Sequence, residues 1–294
     1  PYQAKVTFHA EGSANGWNAP TSAPWFEQAL DAASLAADDA GIYSRVELLA
    51  GAQIKALSTT QISQFNTKHI DYFSTADMAN FSAAQLNKFS TDVIAAFTTD
   101  QIQALTTKQM RGLDSNFLGS LTTDQLVALE TDQVQALSGT QLGYIASGNI
   151  VAMETQDLAA ISSSQIKSMS TDVIKGLSSE QINNLTTAQM SALTSTQLAA
   201  VDTEDIENLT TTQLAALKAP QLKGLTSDQV AALTTTLAEK LSAAQLKGLS
   251  AAQLGHLGSD QAAALTSTQV GALTSQQLNG LSSDAVAALD RDRK

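Results

Sequence analysis

Thr122-Thr-Asp-Gln-Leu-Val-Ala-Leu129 decides how this chain folds, because the same eight-residue pattern recurs in register on both sides of it. Thr98-Thr-Asp-Gln-Ile-Gln-Ala-Leu105 and Thr226-Ser-Asp-Gln-Val-Ala-Ala-Leu233 are further copies. Thirty consecutive octads run from Ala50 to Leu289 without an insertion or a deletion. A register this long implies that every unit packs on its neighbours in the same way. One added residue would put all later units out of phase.

The fifth and eighth positions are apolar throughout, from Ile54 to Val286 and from Leu57 to Leu289, with Ala238 and Ala262 as small members. Residues three apart share a face of one helical turn, whereas a strand would point them to opposite faces. A single long helix is excluded as well. Eight residues at about 100° each leave the apolar stripe rotated by roughly 80° per unit, so it would wind around the rod. The chain must therefore bend once per octad.

The first position marks the bend, being Ser, Thr, Asn or Asp in 24 of the 30 units. The fourth is Gln in 20 of them. Ser or Thr followed three residues later by Gln is a capping box, in which each side chain bonds the other's backbone N–H; Thr98 with Gln101 and Ser178 with Gln181 are examples. Acidic third positions (Asp100, Asp124, Glu180) suit the positive end of a helix dipole, and Lys167, Lys175, Lys223 and Lys247 come later in their units. Pro220, the only proline of the repeats, stands in the first turn, where a missing N–H costs nothing.

A helix of about six residues is too short to be stable alone, so stability must come from stacking fifth- and eighth-position side chains into one long core. The seventh position is often Ala, Gly, Ser or Asn, which predicts close approach between neighbouring units. These features predict an all-α superhelical solenoid of about 30 capped octads over 50–289, with two or three units per coil and a charged tail at 290–294.

Residues 1–49 are different. Tyr2, Ala4, Val6, Phe8 and Ala10 alternate with Gln3, Lys5, Thr7 and His9, the one strand pattern of the chain. A loop follows, then a helical pattern over 25–37, and 42–49 reads as a degenerate first unit. A lone strand needs a partner edge. It either pairs within a small N-terminal cap or adds to another subunit by β-augmentation. Tyr2, Ala4, Val6, Phe8 and Ala10 are thus a candidate assembly strand, and Trp17 and Trp25 candidate cap or assembly aromatics.

The net charge of -12, without a basic stripe, opposes nucleic acid and anionic membranes as partners. The absence of cysteine excludes a disulfide framework, a thiolate metal site and a Cys nucleophile. No apolar run approaches the roughly 18 residues of a membrane-spanning helix. His9, His69 and His256 are scattered, whereas catalysis or metal binding needs converging groups. His69 takes the place of a capping Gln, which favours a structural role. The reading is therefore not an enzyme, and it assigns no catalytic, cofactor or metal residue. Phe65, Phe73, Phe81, Phe89 and Phe97 fill five consecutive eighth positions, either as a wider core or as an aromatic ligand pocket. Asn80, Asn184 and Asn208 open glycosylation-type triplets, which arise readily by chance in a Ser/Thr-rich chain.

Runs of the type S/T-S/T-x-Q-L-x-A-L, as in Thr122–Leu129, resemble the repeats of very large bacterial surface proteins, often labelled adhesins or haem-utilisation/adhesion proteins. The resemblance covers 50–289 and implies an extracellular or cell-surface location; it carries over no haem ligand and no cofactor. The expectation is a structural protein, the protomer of an extracellular filament, sheath or adhesive surface layer. Its partners would be further copies of itself and other surface proteins or glycans. The alternative is a solenoid scaffold for a protein or peptide partner. A scaffold should gather charged or aromatic residues on one face, while positions two, three and six here are mostly small or polar.

Overall fold

The octad pattern folds as a chain of short helices joined by corners two residues wide. A computed structural model of the protein describes residues 51–146 and 148–291. The expected strand at Tyr2–Ala10, the tryptophans Trp17 and Trp25, and the rest of the 1–49 segment lie outside the described residues.

Each octad carries one helical element, and none of the described residues is in a strand. The helices begin at the second position, as in Thr123–Val127, Ser179–Asn183 and Thr211–Ala216, and most are four to six residues long. They are close to the expected length of about six residues, and the four-residue ones leave more of the octad to the corner. Leu137, an eighth-position residue, has φ -71 and ψ 140, and Ser138 after it has φ -72 and ψ 160. Two extended residues in succession turn the chain, and the second of them caps the next helix. The octad 146–153 lacks both the Ser/Thr cap and the Gln, and only a 3-10 turn forms there, Ile150–Ala152. The last helix, Ser283–Arg291, runs past the final octad.

Each helix packs on the helix three octads later. Thr131–Ala136 packs on Thr155–Ala160, which packs on Ser179–Asn183, which packs on Thr203–Glu207. Of the two coil sizes compatible with the sequence, the protein uses three units per coil. The solenoid therefore has three sides, each a ladder of stacked helices.

Fifth and eighth positions fill the interior. Ile54, Met110, Leu198 and Leu254 are fully buried, and Leu57 to Leu289 line the axis. Only the last two fifth positions are exposed, Leu278 at 36% and Val286 at 43%. Elsewhere a following coil covers this position. The five phenylalanines form a continuous ring-on-ring column, with centroids 5.1 Å apart for Phe73–Phe81 and 5.3 Å for Phe89–Phe97, and all are buried. The wider-core expectation describes them; such edge-to-face pairs add about 0.5–1.5 kcal/mol beyond burial.

The small seventh position meets the second position of the coil below, not the next unit in sequence. A Cβ on Gly248 would lie 2.8 Å from the Ala219 Cβ, and one on Gly224 would run into the Ser195 carbonyl. Backbones touch there, and nothing larger fits without separating the coils.

Candidate functional site: a glutamine seam and an acidic face

The fourth-position glutamine does more than cap its own helix. Gln189 is 1% exposed. Its Oε1 accepts the Thr186 N–H at 2.8 Å, the bond expected of a capping box. Its Nε2 donates to the carbonyls of Leu158 at 2.7 Å and Ile161 at 2.8 Å. Those two residues are the fifth and eighth of the octad four units earlier, where the coil below turns its corner. The amide's one acceptor and two donors are thus all used, and the network fixes which atom is oxygen. Gln101 repeats the arrangement on Ile70 and Phe73, and Gln245 on Leu214 and Leu217. A seam of buried amides therefore joins each coil to the next. It satisfies the eighth-position carbonyl, which the helix end would otherwise leave orphaned. It adds a second bond to the fifth-position carbonyl, which already accepts the eighth-position N–H, as Leu158 does from Ile161.

The sequence held a signal for this seam. A capping box accepts Glu as readily as Gln, and the helix dipole favours the charged residue. Yet no octad has Glu at its fourth position. A preference for Gln with no Glu fits a donor at the position, which capping alone does not call for.

Departures from glutamine are of two kinds. Val93, Phe117, Val173 and Leu237 fill the slot with an apolar group and are buried. Polar replacements keep the location. Asn149 donates to the Leu121 carbonyl at 3.0 Å, and Asp157 accepts from Thr131 Oγ1 at 2.6 Å. His69 is buried and accepts the Asn66 N–H through Nδ1 at 2.9 Å, as a capping glutamine would. Burial pushes its imidazole below the ordinary histidine value. It is held structurally and lies far along the chain from His256.

Three units per coil also sorts the charges. The octads 130–137, 154–161, 178–185, 202–209 and 226–233 are stacked on one side. They carry ten Asp and Glu and no Lys or Arg. The ten octads of the other two sides at this height, within 122–241, carry five Lys and only three acidic residues. Eight of the ten carboxylates on the acidic side are exposed, while Asp157 and Asp205, at fourth positions, are buried. In the linear sequence these octads are 24 residues apart, so the clustering is invisible without the coil size.

The triplet asparagines use their amides locally. Asn184 Nδ2 donates to the Glu180 carbonyl at 2.8 Å, and Asn208 Nδ2 to that of Glu204 at 2.9 Å. Among the described residues no group of three or more His, Cys, Asp or Glu side chains is placed to hold a metal ion, and no helix is long and apolar enough to cross a membrane.

The profile of the ALTTAQ repeat matches residues 70–107, 107–139, 150–187, 198–235 and 239–267, more than half of the chain. The chain belongs to the ALTTAQ-repeat family. No curated protein matches it. The six letters of the family's name straddle two octads, as in Asn184-Leu-Thr-Thr-Ala-Gln189. In the folded ALTTAQ repeat they read as a small seventh residue against the coil below, a core Leu, a corner, a capping Thr and the seam Gln. The name thus spans the corner and its fastening. The family match supports a repeat architecture and names no ligand.

Proposed function

We propose that this ALTTAQ-repeat chain is a non-catalytic structural element, a protomer of an extracellular filament, sheath or adhesive surface layer. The observation that carries the reading is the unbroken register of thirty octads. A coil that closes every three units and is joined to the next by buried amides spans distance with one repeated contact. Its other partners would be surface proteins or glycans. Negative-stain electron microscopy of the purified chain, with and without residues 1–16, tests the proposal. Polymers that shorten or vanish on removal of 1–16 support it and identify the N-terminal segment as the connector. Single rods at every concentration refute the filament.

A second reading, a scaffold for a basic protein or peptide partner, is favoured by the acidic face. Charge gathered on one side is the feature expected of a scaffold. Glu204→Gln with Glu207→Gln separates the two readings. Polymer length stays unchanged under the first, and binding of a lysine-rich peptide weakens under the second.

A further inference from the structure

Asp205 is the least satisfied group of the seam. It is 5% exposed, and among the described residues its Oδ1 is the buried side-chain atom with no hydrogen-bond partner. A buried carboxylate oxygen without a donor is costly, so its environment needs a compensating positive group. The related acid on the same face shows what is missing. Asp157 accepts from Thr131 Oγ1, 26 residues earlier. Ser179 holds that place relative to Asp205 and does not donate to Oδ1.

The register supplies the rest of the surroundings. Fourth-position amides donate to carbonyls 31 and 28 residues earlier, as Gln197 does to Ile166 and Met169 and Gln229 to Leu198 and Val201. For Asp205 these carbonyls belong to Ile174 and Leu177. The residue that should bring two donors brings a carboxylate instead, shorter than glutamine by one methylene. By register the slot sets a carboxylate beside two carbonyls, with the cap N–H of Asp202 as its expected donor, at the level where the acidic face is densest: Asp202, Glu204 and Glu207 share the octad with Asp205.

We propose that this slot binds a hard divalent cation of the calcium class, held by the Asp205 carboxylate and the carbonyl oxygens of Ile174 and Leu177, with water completing the shell. Carboxylate and carbonyl oxygens in a flexible arrangement suit calcium, whereas magnesium demands tighter octahedral geometry and sheds water reluctantly. The cation takes the place of the amide's positive hydrogens and joins two coils as glutamine does elsewhere. The exposed carboxylates raise its local concentration. The site is independent of the filament reading, since it fastens coils within one chain.

Hydrogen exchange of the full chain, read at the amides of 202–209 with CaCl2 as the probe at constant ionic strength, tests it. A site with Kd on the order of 1 mM, in 10 mM calcium, slows local exchange about tenfold. Asp205→Gln restores the consensus amide. It should show that protection without calcium and gain nothing from adding it. Glu207→Gln removes a charge from the same face without touching the slot and should respond like the parent. No calcium response in the parent overturns the proposal. So does an equal response in Asp205→Gln, which would mark diffuse screening of the acidic face. Replacing calcium by the same concentration of MgCl2 should give a smaller effect, and an equal one also counts against a calcium-class site.

Discussion

Gln189→Ala probes the seam directly. The substitution removes the acceptor of the Thr186 N–H and the donors to the Leu158 and Ile161 carbonyls. Three hydrogen bonds are lost at once, at a net cost of about 1 kcal/mol each with wide scatter; the Leu158 carbonyl keeps the Ile161 N–H, while the Ile161 carbonyl loses its seam donor. The space left by the amide adds about 1 kcal/mol more, so the expected loss is about 3–5 kcal/mol. Gln189→Leu keeps the volume and should cost less, as the natural occupant Leu237 suggests. Gln189→Glu is isosteric but sets a carboxylate against two carbonyls and should cost at least as much as alanine. Its folded-state pKa would be raised by burial, so the folded form holds a proton that the unfolded chain releases. Stability of this variant then falls as pH rises above about 4 and is recovered in acid. Opening in a solenoid is local, so the assay is hydrogen exchange of amides in 154–161 and 186–193, with urea unfolding as the global check. The exposed Thr187→Ala is the control. If Gln189→Ala lies within about 0.5 kcal/mol of it, glutamine is only a surface cap and the seam argument fails.

Three further outcomes follow from the same geometry. Deleting Ala192 alone should lower the melting temperature more than deleting the octad Thr186–Leu193, because only the octad keeps fifth and eighth positions inside. Deleting three octads, 186–209, should be mildest of all, since it also keeps the three faces aligned; any other ranking refutes three units per coil. Gly224→Ala should destabilise by more than about 1 kcal/mol through contact with the Ser195 carbonyl, while Gly271→Ala, with no atom within 4 Å of its new Cβ, should stabilise by about 0.5–1 kcal/mol in urea melts. The buried His69 has its pKa lowered, so the unfolded chain takes up a proton first as pH falls below about 6.5 and stability is lost there. His69→Gln should flatten that slope between pH 7 and pH 5 in local exchange at 66–73.

Octad length, phase and the two buried positions were legible in the chain itself. Thr122 caps, Leu126 and Leu129 point inward, and Ala128 stays small for reasons that act within one turn of helix. A capping box and an i, i+3 apolar pair are local interactions, so their signature is local too. The second duty of Gln125, donating to Ile94 and Phe97, reaches across four octads and leaves only an indirect trace, the absence of Glu. The acidic face leaves no trace in any short window. Glu130, Glu154, Glu180, Glu204 and Asp228 become neighbours only because the coil closes after three units. That number is decided by how two extended corner residues and a helix of four to six residues add up in space. The sequence determined what each octad is; the tertiary structure decided which octads stand above one another, because stacking depends on the summed rotation of many corners.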